Sequence, residues 1–290
     1  MWRTRRAAEP GRAPAGAGLC GRAAWLAAGL AAFFYQSQVA FAVDLLPCRA
    51  PGQLVGFESP LRSLARAVDR GGVIRIVALG SSSTEGTGAS TKQATYPARF
   101  DQEMDRRFPG KDFQVANLGK GGELADAMLT RLLNDVIPSR PALVLWQTGV
   151  NDAINGMDVA VFRKILISGI TALKTAGIEV VLVDPQFYPR SAGVARYEDY
   201  VAVMRAVARE QGVPVFRRYA IMKHLIASGQ HSVDGLLWKD KFHLNDTSYR
   251  CLAELMAEAV ETEIRRPSTP VISAGVTSAR PISSSPITAY

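Results

Sequence analysis

Apolar residues along the chain alternate between two patterns. Short, nearly continuous apolar runs occur at 74–79, 113–116, 142–146, 178–183 and 213–216. Runs of that length suit strands buried on both faces, as in a parallel sheet. Between them the apolar positions recur at helical spacing. Ser59-Pro60 reads as the cap and first turn of a helix through Leu61, Leu64, Ala65 and Val68, closed by Gly71-Gly72. Tyr96-Pro97 opens a helix carrying Phe100, Met104 and Phe108, and residues 123–136 place Leu124, Met128, Leu132 and Leu133 on one side. Helices are also expected at 159–176, 197–211 and 221–228, and through Leu252, Leu255, Met256 and Val260. Residues 186–195 read as a loop over one sheet edge, and residues 233–246 as a polar loop.

Strands alternating with helices of this length predict an α/β fold. The expectation is a three-layer α/β/α arrangement around a central, mostly parallel sheet of about five strands. One domain, residues 43–264, accounts for the whole pattern. Past Arg266 the chain turns to Ser, Thr, Pro and Ala without an apolar period, so residues 265–290 read as a disordered tail.

Charge and cysteine content change the picture at the N-terminus. Of the formal net charge of +8, half lies in the first 42 residues, where five arginines face Glu9 alone. An apolar stretch at 23–35 follows, too short to span a bilayer but suited to a signal peptide. Ala40-Phe41-Ala42 supplies a small-x-small cleavage pattern, so residues 1–42 read as a signal peptide cut before Val43. An uncleaved anchor is the alternative. The expected location is periplasmic or secreted, with no stable membrane insertion after cleavage. The mature chain keeps Cys48 and Cys251, which in an oxidising compartment could form one disulfide or remain two buried thiols. The charge left over is modest and unclustered, which argues against nucleic-acid binding. Only His224, His231 and His243 exist, and none pairs with a cysteine at metal-ligand spacing. His224 reads as structural and His231 as a surface residue.

Three strands end in chemistry that a turn alone does not need. Ser81-Ser82-Ser83-Thr84 follows the first, Gly121-Gly122 the second, and Gly149-Val150-Asn151-Asp152 the third. In a parallel sheet these ends share one edge, where reacting groups sit. A serine hydroxyl there needs a base, and His243 is the best histidine, with Asp240 three residues before it to hold the imidazole tautomer. A glycine N–H and an Asn amide could stabilise an oxyanion. The glycine spacing from Gly80 to Gly86 lacks the Lys-Ser/Thr of a Walker nucleotide loop, which excludes that site. Lys120 is a candidate to attract an anionic substrate, and Asp184 either lines the pocket or caps a helix.

Taken in order, Gly80-Ser81-Ser82-Ser83, Asn117 to Glu123, Gly149-Val150-Asn151-Asp152 and Asp240-Lys241-Phe242-His243 resemble the four blocks of the GDSL or SGNH hydrolases. The resemblance implies the family's flavodoxin-like fold and an exported serine esterase acting on carboxylic esters, acyl or acetyl. It makes Ser82 the nucleophile, His243 the base and Asp240 its orienting partner. The oxyanion donors would be the N–H groups of Ser82 and Gly122 and the side chain of Asn151. No cofactor or metal is implied, and the partner would be a small-molecule ester or an acylated glycan. Two alternatives share the fold: an O-acyltransferase acting on envelope or extracellular glycans, and a non-catalytic carbohydrate-binding protein. The chain departs from the pattern at Ser81 and Ser83, where the family has aspartate and leucine, leaving the packing and charge around the turn open.

Overall fold

The computed structural model describes residues 47–267, so the signal peptide, its cleavage site and most of the tail lie outside the described residues. Five strands form one sheet: β1 (Val73–Gly80), β2 (Asp112–Gly119), β3 (Leu143–Gln147), β4 (Glu179–Val183) and β5 (Val215–Phe216). All pairings are parallel, in the order β2-β1-β3-β4-β5. The central strands are apolar on both faces because helices cover both. Residues 76–79 and 143–147 are buried throughout.

Apart from two single-turn helices at Gly52–Val55 and Val233–Leu236, the α-helices are α1 (Arg62–Arg70), α2 (Ser82–Glu85), α3 (Tyr96–Arg107), α4 (Ala125–Arg131), α5 (Val150–Ile154), α6 (Val159–Thr175), α7 (Tyr197–Gln211), α8 (Arg218–Ala227) and α9 (Asp246–Arg265). α9 packs on α1 and α3 on one side, while α4, α6 and α7 pack together on the other. Trp146 on β3 lies so close to α6 that a side-chain carbon on Gly169 would sit 2.5 Å from its ring. Among the described residues, no helix is long and apolar enough to cross a membrane.

Two expectations about the helices are corrected. Ser59-Pro60 does not cap α1, whose N-cap is Leu61 without a side-chain bond. The residue before a proline is pushed toward extended geometry, and the open amides are taken from across the fold. Glu179 accepts from the N–H of Ser63 and of Leu64, each at 2.8 Å. The second correction is Leu133, which is 47% exposed. After α4 the chain continues into a π-helical turn at Leu132–Val136, and Met128, Leu132 and Val136, four residues apart, face inward while Leu133 lies a step further round.

Cys48 and Cys251 are joined by a disulfide across 203 residues, tying the start of the described chain to α9. His231, read above as a surface residue, is instead buried beside this bridge, its Nε2 3.9 Å from Cys251 Sγ. Burial pushes its pKa down, against an opposing bond to the backbone of Pro47. A crosslink closing so long a loop removes much of the unfolded chain's freedom. Cys48→Ser is expected to lower stability by about 2–5 kcal/mol. Urea unfolding of the two proteins measures this, and identical midpoints would show that the bridge constrains nothing.

Candidate active site

Strand register builds the site. Gly80 pairs with Gly119, Leu79 with Trp146, Gln147 with Val183 and Val183 with Phe216, so all five strands end along one edge. At Gly80 the chain turns directly into α2, with Ser82 as its first residue. An N–H in a first helical turn has no intrahelical acceptor, so the Ser82 amide is free to face a ligand. Glycine is required beneath this turn. A side-chain carbon on Gly80 would lie 2.1 Å from Thr84 Oγ1, and one on Gly119 would lie 1.9 Å from the backbone N of Glu85. α2 therefore rests on the bare backbone of β1 and β2. Gly119→Ala is expected to lift Ser82 out of place and reduce kcat about 10²-fold with the fold retained. Unchanged kinetics in that variant would mean that α2 tolerates the displacement.

Buried polar groups anchor the turn. Gln147, fully buried at the end of β3, accepts through Oε1 from the Ser81 N–H at 3.0 Å and from Thr84 Oγ1 at 3.0 Å. Its Nε2 donates to Ser81 Oγ at 3.2 Å, and Tyr96 completes the chain with its hydroxyl 3.1 Å from Thr84 Oγ1. Burial holds that phenol neutral, pushed up to about 12. This settles what replaces the family's aspartate: a neutral amide and hydroxyl network fixes the turn. Ser83, in the leucine position, donates to Gln186 Oε1 at 3.3 Å. Gln186 Nε2 in turn reaches the carbonyl of Phe242 at 3.4 Å, linking the serine turn to the histidine loop.

The histidine loop is shaped by its own backbone. Trp238 N–H donates to the carbonyl of His243 at 2.8 Å, Lys241 N–H donates to Trp238 at 2.8 Å, and Lys241 adopts φ 57. Asp240 Oδ1 accepts from the N–H of Phe242 and of His243, at 3.0 and 2.9 Å. Its Oδ2 lies 2.6 Å from His243 Nδ1. Partial burial works to raise the carboxyl pKa, but the bonds from the imidazole and these two amides outweigh it and hold the group below its usual range. An ionised carboxylate at Nδ1 makes that nitrogen the N–H donor and leaves the Nε2 lone pair outward. Nε2 lies 3.0 Å from Ser82 Oγ. Tyr188 packs edge-on against Phe242, with ring centres 4.8 Å apart, and steadies the loop.

The remaining two blocks are stitched to each other. Asn151 Nδ2 donates to the carbonyl of Glu123 at 2.9 Å, one residue past Gly122. One amide hydrogen remains for a substrate oxygen. Gly122 is exposed with φ 74. Asp152 is fully buried and accepts from the N–H of Ala125 at 2.8 Å and of Gly149 at 3.0 Å, so it fastens the start of α4 to the Asn151 turn. Burial raises its pKa, opposed by those backbone bonds. The expected catalytic set thus occupies one edge of the sheet, with Ser82, His243 and Asp240 in direct contact. Lys120 is exposed, and Asp184 is a helix cap, accepting from the Tyr219 N–H at 2.8 Å. Gln147 and Gln186 were not anticipated. A polar residue directly after the buried run 142–146 was the one available signal for Gln147, and nothing local marked Gln186.

A model of the non-GDSL lipase-like family matches residues 47–266. Esterase TesA of Pseudomonas aeruginosa is 26% identical over 168 residues, covering 58% of this chain and 78% of that protein. Among solved structures, a two-domain esterase active on acetylated mannans superimposes with a TM-score of 0.61 at 20% identity. The match covers 81% of this chain and 60% of that one, so the chain spans less than two thirds of that protein. A lipase/acylhydrolase from Enterococcus faecalis gives a TM-score of 0.53 at 22% identity, over 67% of this chain and 99% of that one. These two likenesses are of fold.

Proposed function

The chain belongs to the non-GDSL lipase-like family, within the GDSL/SGNH hydrolase superfamily, and from that premise we propose that it is an exported serine esterase cleaving carboxylic esters through an acyl-enzyme. The observation that carries this reading is the continuous relay from Ser82 Oγ to His243 Nε2 at 3.0 Å and from His243 Nδ1 to Asp240 Oδ2 at 2.6 Å. Ser82 attacks the ester carbonyl while His243 takes its proton. Asp240 stabilises the imidazolium, which then protonates the departing alcohol. Water repeats the sequence on the acyl-enzyme and releases the acid.

The tetrahedral oxygen would be met by the N–H groups of Ser82 and Gly122 and the free amide hydrogen of Asn151. Asn151→Ala is expected to cost about 10²–10³ in kcat if that amide is an oxyanion donor. A loss under tenfold in steady-state kinetics removes it from the role. Export draws support from the Cys48–Cys251 bridge, since disulfides persist in oxidising compartments.

The test is a fluorophosphonate probe followed by peptide mapping, then a substrate panel from short aryl esters to acetylated glycans. Labelling confined to Ser82, with turnover of at least one ester, is the expected result. Label on another serine, or none with every ester inert, would overturn the reading.

A further inference from the structure

Two of the proposed oxyanion donors depend on a segment with little rigidity of its own. Gly121 and Gly122 follow each other in an exposed turn, with Gly122 at φ 74, and glycine has the widest backbone freedom of any residue. Donors to a developing oxyanion must be fixed in advance, because a displacement of about 1 Å can cost about 10²-fold in rate. Backbone bonds tie the segment at its ends. The Lys120 N–H donates to the carbonyl of Gly80 at 2.9 Å, and the Glu123 N–H donates to the carbonyl of Lys120 at 3.3 Å.

Glu123 is where the two donors meet. It adjoins Gly122 in the chain, and its carbonyl accepts from Asn151 Nδ2 at 2.9 Å. Its side chain is only 4% exposed, and Arg131, the last residue of α4, holds the carboxylate. Arg131 Nε lies 2.9 Å from Oε1 and 3.1 Å from Oε2, and Nη2 donates to Oε2. Nη1 donates to the carbonyl of Leu118 at 2.9 Å. One planar guanidinium thus joins the end of β2 to Glu123 and spans the glycine turn between them. Lysine could supply the charge but not the fork.

Without Arg131 the Glu123 carboxylate would be left buried and unpaired, which is costly enough to turn it toward water. The carbonyl that orients Asn151 would move with it. The third donor, the Ser82 N–H, belongs to the turn that Gln147 anchors. The oxyanion pocket is therefore held in two halves by separate polar groups.

We infer that Arg131 is a positioning residue for this pocket, fixing the Gly122 N–H and the Asn151 amide through Glu123. The inference rests on the esterase reading above.

Arg131→Met should lower kcat for a short-chain aryl ester by about 10–10²-fold with KM nearly unchanged, the pattern of an interaction made only in the transition state. Affinity for a trifluoromethyl ketone, whose adduct on Ser82 places an oxyanion among the same donors, should fall by a similar factor. Arg131→Lys should recover melting temperature without recovering kcat. Combined with Asn151→Ala, the Arg131→Met loss should fall short of multiplying, because both changes act on one amide. The inference is overturned by a folded Arg131→Met protein with kcat within about twofold of the parent, by full kcat in Arg131→Lys, or by losses that multiply completely. If Arg131→Met does not fold, Glu123→Gln, which keeps the backbone carbonyl and removes the charge pair, gives the same reading. A wild-type protein that turns over no ester and takes no label at Ser82 instead sinks the esterase reading, and this inference falls with it.

Discussion

Ser82→Ala is expected to reduce kcat for a short-chain aryl ester by about 10⁶-fold, leaving only what the oxyanion donors and binding supply. The size follows from the chemistry, because His243 can activate nothing once Ser82 Oγ is gone. The fold should survive. Ser82 is half-buried at the start of α2, and the turn is held by its neighbours: Ser81 and Thr84 through Gln147, Ser83 through Gln186. Melting temperature and far-UV circular dichroism should therefore match the parent. Retained turnover in a folded Ser82→Ala protein would sink the assignment of nucleophile and base together.

Asp240→Asn is expected to lower kcat by about 10⁴-fold, for a reason specific to this loop. In the parent, Oδ1 accepts two backbone N–H groups and Oδ2 accepts the imidazole N–H. An asparagine has one acceptor, and the two backbone donors at Phe242 and His243 will claim it. Its NH₂ then faces Nδ1, which must become an acceptor, and the ring proton moves to Nε2. Nε2 would donate toward Ser82 instead of taking its proton. A loop-shape effect would look different, since Asp240→Ala removes both backbone bonds and should raise KM and lower stability as well. If Asp240→Asn costs less than tenfold, the carboxylate does not set the tautomer.

Much of the fold was legible because strand and helix periods are local. The apolar runs at 74–79 and 178–183 are bounded by glycine, aspartate and proline, and they became β1 and β4 within a residue or so. Errors fell where a distant group won. Ser59 lost the cap of α1 to Glu179, 116 residues from Ser63, and Leu133, a step round from the buried Leu132, faces solvent. His231 looked exposed because its neighbours are polar, yet it is packed against a disulfide whose other half begins the described chain.

From its residues alone the chain determined an alternating sheet and a run of candidate chemical groups at strand ends, in an order that identified the superfamily. Side-chain type and short spacing suffice for that, as Asp240 and His243 meet within a single turn. Only the tertiary structure decided that His243 reaches Ser82 across 161 positions. It alone showed that Gln147 and Gln186 anchor Ser81 and Ser83, the positions where the family has aspartate and leucine. Hydrogen bonding and burial depend on which atoms share a volume, and register between strands far apart in the chain sets that sharing.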